Sequence, residues 1–186
     1  MYGLASPDEI KGGLAWYQSA HAHACELSSL YGIPMRAASE IIAALSPNVR
    51  WERNVADAYT LCGVLAAGGD LASIRINTYS ANRSKAGAIF RAAVAGLPYA
   101  GILSGPKVTR FAKTIETPWE SNGITVDVHA FSVASGKRFT TSDVVIGAVN
   151  YRTCERAFIT VGAELGIAGH QVQAITWTVW KRIHNI

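Results

Sequence analysis

Proline and glycine cut this chain into apolar segments of helical length, and that punctuation limits its folds more than any other feature. Ser6-Pro7-Asp8-Glu9 reads as a helix start: an N-cap, a proline at the first helical position and acids in the first turn. The helix it opens is expected to run to about Tyr31 and stop at Gly32. Pro34 opens a second, with Ile41, Ile42 and Leu45 on one face, ending near Ser46-Pro47. A third begins around Arg50, carries Val55, Leu61, Val64 and Leu65, and ends before Gly68-Gly69. A fourth covers Asn82 to Ala95 and stops at Gly96. Between Pro98 and Ile115 the pattern predicts two short helical pieces broken at Ser104-Gly105-Pro106. On the second of them Val108, Phe111, Ala112 and Ile115 keep the i, i+3, i+4, i+7 spacing. A loop follows over 117–125. A helix is then expected from Asp127 to Ser135, closed by Gly136, and Ser142-Asp143 offers a cap for another short one. Arg152–Leu165 and Gln171–His184 complete about eight helices with short connections. Ile124, Thr125, Val126 and Val128 would also suit a strand over Gly123–Val133, which stands as the minority reading. The fold class is all-α, in a single domain over residues 1–186.

Composition narrows the function classes. Apolar residues make up 49% of the 186 and charged residues 16%, so the chain is not disordered as a whole. No run approaches ~18 consecutive apolar residues, which argues against a membrane span, and the N-terminus lacks the form of a secretory signal. The three cysteines, at 25, 62 and 154, form neither a disulfide framework nor a metal clip. They fit a reducing, cytoplasmic compartment, and they are too few to hold an iron–sulfur cluster, so no cofactor is expected. A net charge of +4 permits a polyanionic partner without requiring one.

Two places carry candidate chemistry. The first is Ser104-Gly105 before a helix with Lys107, Arg110 and Lys113 along one side. A glycine turn at a helix N-terminus aims N–H groups outward and binds phosphate without reading sequence. The plain alternative is an ordinary turn with solvated lysines. The second is Asp127, read either as the N-cap of the helix that follows or as a carboxylate at the edge of a pocket. His21 and Cys25 share a helix face and could bind metal, but no third ligand is evident. Trp177, Trp180, Lys181 and Arg182 could stack bases or touch phosphate, or simply pack the last helix. Trp51, between Arg50 and Arg53, divides the same way.

Gly105-Pro106-Lys107-Val108, followed some twenty residues on by Val126-Asp127-Val128-His129, resembles the signature of the helix-hairpin-helix DNA glycosylase superfamily, which includes endonuclease III-like and 8-oxoguanine glycosylase-like enzymes. Leu45-Ser46-Pro47-Asn48 and the run from Tyr79 to Ala86, with Ser84-Lys85-Ala86, are similar to two further family elements in the same order, so the resemblance covers about residues 36–180. It implies two helical subdomains with a cleft between them, a hairpin over 99–116 and a helix bearing the catalytic aspartate over 126–136. Lys107 would then be the covalent nucleophile and Asp127 the catalytic carboxylate. Asn48 would fill the gap left by an extruded nucleotide, with Arg50, Ser104, Gly105, Arg110 and Lys113 on the DNA backbone. The expected activity is a DNA glycosylase, with or without lyase action, on a modified or damaged base in duplex DNA. It would work as a monomer at the nucleoid of a bacterial or virus-infected cell. Two alternatives stay open: an enzyme of this fold that alters hypermodified pyrimidines in viral DNA without releasing them, and a DNA-binding module without catalysis. Burial beside Arg110 is expected to favour the neutral amine of Lys107. One departure is visible. The family hairpin usually reads Leu-Pro-Gly-x-Gly, and here Leu103 stands where the first glycine would be.

Overall fold

The computed structural model describes residues 1–186 and is all helical, with eight α-helices, two short 3-10 turns and no strand. The helices are α1 (Pro7–Tyr31), α2 (Met35–Leu45), α3 (Trp51–Ala66), α4 (Ser80–Val94), α5 (Pro106–Glu116), α6 (Val128–Ser135), α7 (Ala148–Leu165) and α8 (Gly169–His184). They fall into two compact units, one of residues 20–116 and one of residues 1–19 with 117–186.

In the unit of residues 20–116, α2 is the central element. Every residue from Ala37 to Leu45 is buried, because α3, α4 and α5 all pack on it. A helix covered on all sides has no need of a polar face, and its sequence is accordingly small and aliphatic. Ser39 and Glu40 are the polar exceptions, and Glu40 is the one that carries charge. α4 closes on a left-handed glycine, Gly96 (φ +66), and α1 on Gly32 (φ +62), a conformation that costs other residues strain.

In the other unit, α6, α7 and α8 enclose a core of Ile124, Val126, Tyr151, Cys154, Phe158 and Val172. The crossings are close. A Cβ on Gly13 of α1 would lie 2.7 Å from Ile175 N and 2.8 Å from Ile175 Cα of α8. One on Gly162 of α7 would meet Ile167 O at 2.6 Å. Only glycine permits either approach. At the N-terminus Ser6 and Glu9 form a reciprocal capping box, Ser6 N–H donating to Glu9 Oε2 (2.8 Å) and Glu9 N–H to Ser6 Oγ (3.2 Å).

Four sequence expectations change. The first helical piece of the expected 99–116 hairpin is absent: residues 97–105 are turns and irregular chain, and α5 alone follows. Pro98 and the left-handed Gly101 (φ +86) leave less than one helical turn between them. Ser142-Asp143 caps no helix; Asp143 instead closes a turn backward, accepting from the Thr140 N–H at 2.6 Å and its hydroxyl at 2.7 Å. α7 starts at Ala148, ahead of the expected Arg152, and a 3-10 turn at Leu71–Ser73 is additional. The strand reading of 123–133 fails in an instructive way. Ile124, Thr125 and Val126 are buried and not helical, but no neighbouring strand pairs with them. Side chains do so instead.

Candidate functional site

The extended segment before α6 is held by two helices' side chains. The Gln173 amide from α8 takes both backbone groups of Thr125: its oxygen accepts from the N–H (3.1 Å), and its nitrogen donates to the carbonyl. The Tyr151 hydroxyl from α7 donates to Ile124 O (3.0 Å) and accepts from Val126 N–H (3.3 Å). Buried backbone groups must be paired, and here four of them are paired without a sheet. Tyr17 of α1 adds its hydroxyl, 3.4 Å from Thr125 Oγ1, and its ring stands edge-on to the buried His170. Burial holds the Tyr17 phenol protonated well above its usual range and pulls the His170 imidazole down.

This scaffold delivers Asp127. Its backbone is still extended, and its Oδ1 accepts from Ala130 N–H at 2.8 Å, so it is the N-cap of α6. The side chain is half-buried, so the carboxylate is not shut away from solvent as a fully buried catalytic group would be. The capping role read from the sequence is present. It does not exclude a second role, because a cap engages one carboxylate oxygen.

In the other unit the remaining candidates gather around the starts of α4 and α5. Ser46–Val49 is a turn closed by Val49 N–H on Ser46 O (3.2 Å), with Pro47 and Asn48 at its centre. Asn48 takes φ +61, which a type II turn asks of its third residue and which asparagine tolerates better than most. The exposed Asn48 amide donates to the Tyr79 hydroxyl, just before α4. Lys85, one helical face further along, donates to Ser104 Oγ at 3.2 Å. Gly105 then takes φ +100, and Pro106 and Lys107 begin α5. Asn48 and Ser104 are thus both brought to α4. Arg50 is exposed beside Trp51, whose ring packs edge-on to Phe111 (6.4 Å between centroids) and His23 (6.2 Å).

Lys107 is exposed. The burial expected to favour its neutral amine is therefore missing, because its place in the first turn of α5 faces solvent. Arg110 is half-buried one turn on, and Lys113 is exposed with its ammonium 3.3 Å from Glu116 Oε2. The N-terminal turn of α5 still joins unsatisfied N–H groups, a left-handed glycine and a cation, a combination suited to a phosphate oxygen.

Other candidates resolve as packing. His21 Nδ1 lies 2.9 Å from Ile115 O and its Nε2 lies 3.2 Å from Cys25 Sγ. A carbonyl can only accept, so Nδ1 carries the proton and Nε2 accepts from the thiol. No group of three or more His, Cys, Asp or Glu is placed to hold a metal ion. Trp180 is buried against His184, the Lys181 ammonium sits 4.3 Å over the Trp177 ring, and Arg182 binds Glu9. Sequence reasoning missed Gln173 and Tyr151, whose polar ends lie amid apolar helices. It missed Glu40 too, although one acid inside Ala37–Leu45 is a signal by itself. No helix is long and apolar enough to cross a membrane.

A family model described as "Family of unknown function (DUF7178)" matches residues 1–184. No curated protein and no solved structure matches the chain.

Proposed function

We propose that this chain, which belongs to that family of unknown function, is a DNA glycosylase acting on a modified or damaged base in duplex DNA. The observation that carries the reading is the Ser104–Lys107 turn. Gly105 takes a positive φ (+100) at the start of α5, which sets Lys107 in the helix's first turn among outward N–H groups. Such a turn grips a backbone phosphate, and its lysine then lies near the sugar next to it.

The chemistry follows from those groups. A base within a duplex must be flipped out, at about a few kcal/mol, before its glycosidic bond can be reached. Asn48, on the turn beside Tyr79, would occupy the gap. Breaking the N-glycosidic bond builds positive charge on the sugar, and the Asp127 carboxylate would stabilise it through the oxygen that does not cap α6. Lys107 Nζ, once neutral, attacks C1′ as the base departs with its electron pair and takes up a proton. The amine adduct at C1′ then loses a proton from Nζ and breaks its C1′–O4′ bond, with O4′ taking up a proton, and the ring-opened iminium so formed opens the route to strand scission. Because Lys107 is exposed in the free protein, its desolvation would have to come from the DNA that covers it. The partner proposed is DNA, bound by a monomer at the nucleoid, with affinity resting mainly on phosphate contacts and falling steeply with salt.

The exposure of Lys107 and the capping duty of Asp127 favour a second reading, a DNA-binding module without catalysis. One experiment separates them. The protein is incubated with duplex oligonucleotides that each carry one lesion or modified base, with borohydride present, and products are resolved before and after alkali. The glycosylase reading expects free base and, if the amine is covalent, a trapped adduct that Lys107→Ala abolishes. An altered nucleoside without base release identifies a base-modifying enzyme instead. Binding with no product from any duplex, unaffected by Asp127→Asn, overturns the proposal.

A further inference from the structure

A cavity of about 400 Å³ lies within the unit of residues 20–116, lined by Arg36, Glu40, Leu103, Thr109, Ala112, Lys113 and Glu116 among others. Around α5, Thr109 and Ala112 lie roughly 140–200° from Lys107 at ~100° per residue. The cavity is therefore on the side of the helix away from the proposed nucleophile and is a separate place. It does not depend on the glycosylase reading.

Glu40 makes the cavity unusual. It sits in the middle of the apolar helix α2 and is 7% exposed. Its Oε1 accepts from Arg36 Nε at 2.8 Å, while its Oε2 is buried and has no hydrogen-bond partner. A buried carboxylate oxygen left without a donor is costly, and native proteins rarely leave one so. Glu40 is one of the residues lining the cavity, so an occupant there is placed to supply the missing donor once the carboxylate turns toward it. Arg36 constrains the rest. Only its Nε is engaged with Glu40, and its Nη groups, with half of the side chain exposed, remain to meet an acceptor. Its guanidinium lies 6.0 Å from the Tyr99 ring, which helps to fix it. The lining carries two cations and two carboxylates, so an occupant need bring no net charge. Leu103 and Ala112 supply an apolar wall beside these polar groups.

We propose that this cavity binds a small zwitterion of the α-amino-acid class. Its ammonium donates to Glu40 Oε2, its carboxylate accepts from the Arg36 Nη groups, and an aliphatic side chain rests on Leu103 and Ala112. The ammonium and carboxylate of an α-amino acid are adjacent, as are the two protein groups that meet them.

The test uses the full chain and L-leucine as probe, followed by calorimetric titration and by the backbone amide shifts of α2 and α5. Saturable binding is expected, weakened about tenfold or more for N-acetyl-L-leucine, which lacks the ammonium, and for isoamylamine, which lacks the carboxylate. Glu40→Gln keeps the shape, turns one acceptor into a donor, and should reduce leucine binding by a similar factor. Should Glu40→Gln fail to fold, Arg36→Gln at the half-exposed partner gives the same reading through the carboxylate. Absence of saturation up to roughly 10 mM leucine, or equal binding by the Arg36→Gln chain, overturns the proposal and identifies the cavity as a water site.

Discussion

Replacing Gln173 with leucine tests whether side chains hold residues 124–126 in place of a sheet. The substitution keeps volume and removes both hydrogen bonds to the backbone of Thr125, a residue only 7% exposed. Each orphaned buried backbone group costs about 1–3 kcal/mol. Gln173 itself is half-buried, so water can reach part of the gap and the lower half of the range applies, about 2–4 kcal/mol in all. For a chain of this size each kcal/mol lowers Tm by about 2–4 °C, so a fall of roughly 4–16 °C is expected by circular dichroism. Hydrogen exchange gives the local readout: the Thr125 amide should lose protection by more than the amides of α4, which is in the other unit. Gln173→Glu keeps an acceptor for the N–H but no donor for the carbonyl, and should fall between wild type and leucine. A Tm within about 2 °C of wild type, with Thr125 still protected, would refute the account of the segment.

Other consequences can be measured alongside. Gly13→Ala puts a Cβ against the Ile175 backbone, which cannot swing aside, and should destabilise by about 1–3 kcal/mol in urea unfolding. Asp127→Asn retains a good N-cap and should change stability by less than about 0.5 kcal/mol, whereas Asp127→Ala should cost about 1 kcal/mol; a loss of product with Asn alone would then report chemistry rather than folding. Hydrogen bonds from Arg182 and from the Ser6 N–H hold the Glu9 carboxyl down at about 2, from an ordinary 4.5. A depressed carboxyl contributes stability above its unfolded value and loses it as pH falls, so the tie between α1 and α8 should weaken between pH 4.5 and about 2, and Arg182→Ala should shrink that acid step to the part that Ser6 sustains. Of the three thiols, Cys25 is exposed, while burial pushes Cys62 and Cys154 up to about 12. Native protein should therefore release one equivalent of chromophore from a disulfide reagent quickly, and the other two only on unfolding.

Helix ends were the most legible part of this fold, because they follow from local chemistry. Pro7 and Pro106 open helices, and Gly32, Gly96 and Gly136 close them with a positive φ, as their covalent structure dictates. The Asp127 cap was legible for the same reason. The first half of the hairpin was misread because helical spacing says nothing about whether enough residues remain between Pro98 and Gly101 to close a turn. Burial of polar groups was not legible. Whether Glu40 faces solvent depends on α5 and the 99–103 loop covering α2, and whether Thr125 needs Gln173 depends on a partner about fifty positions away. Lys107 shows the same limit in reverse: the sequence offered both a solvated turn and a buried amine, and nothing local decides between them.

The unit that contains Asp127 is assembled from both ends of the polypeptide, while residues 20–116 form theirs from one unbroken stretch. During synthesis the inner stretch can complete its packing as soon as Glu116 leaves the ribosome. Residues 1–19 must wait: the surface of Ile175 that receives Gly13, and the Arg182 that receives Glu9, are among the last to be made. Until then the amino-terminal part of α1 is a helix without its partner, so truncations near the carboxyl end should undo the unit that contains Asp127 while residues 20–116 stay packed.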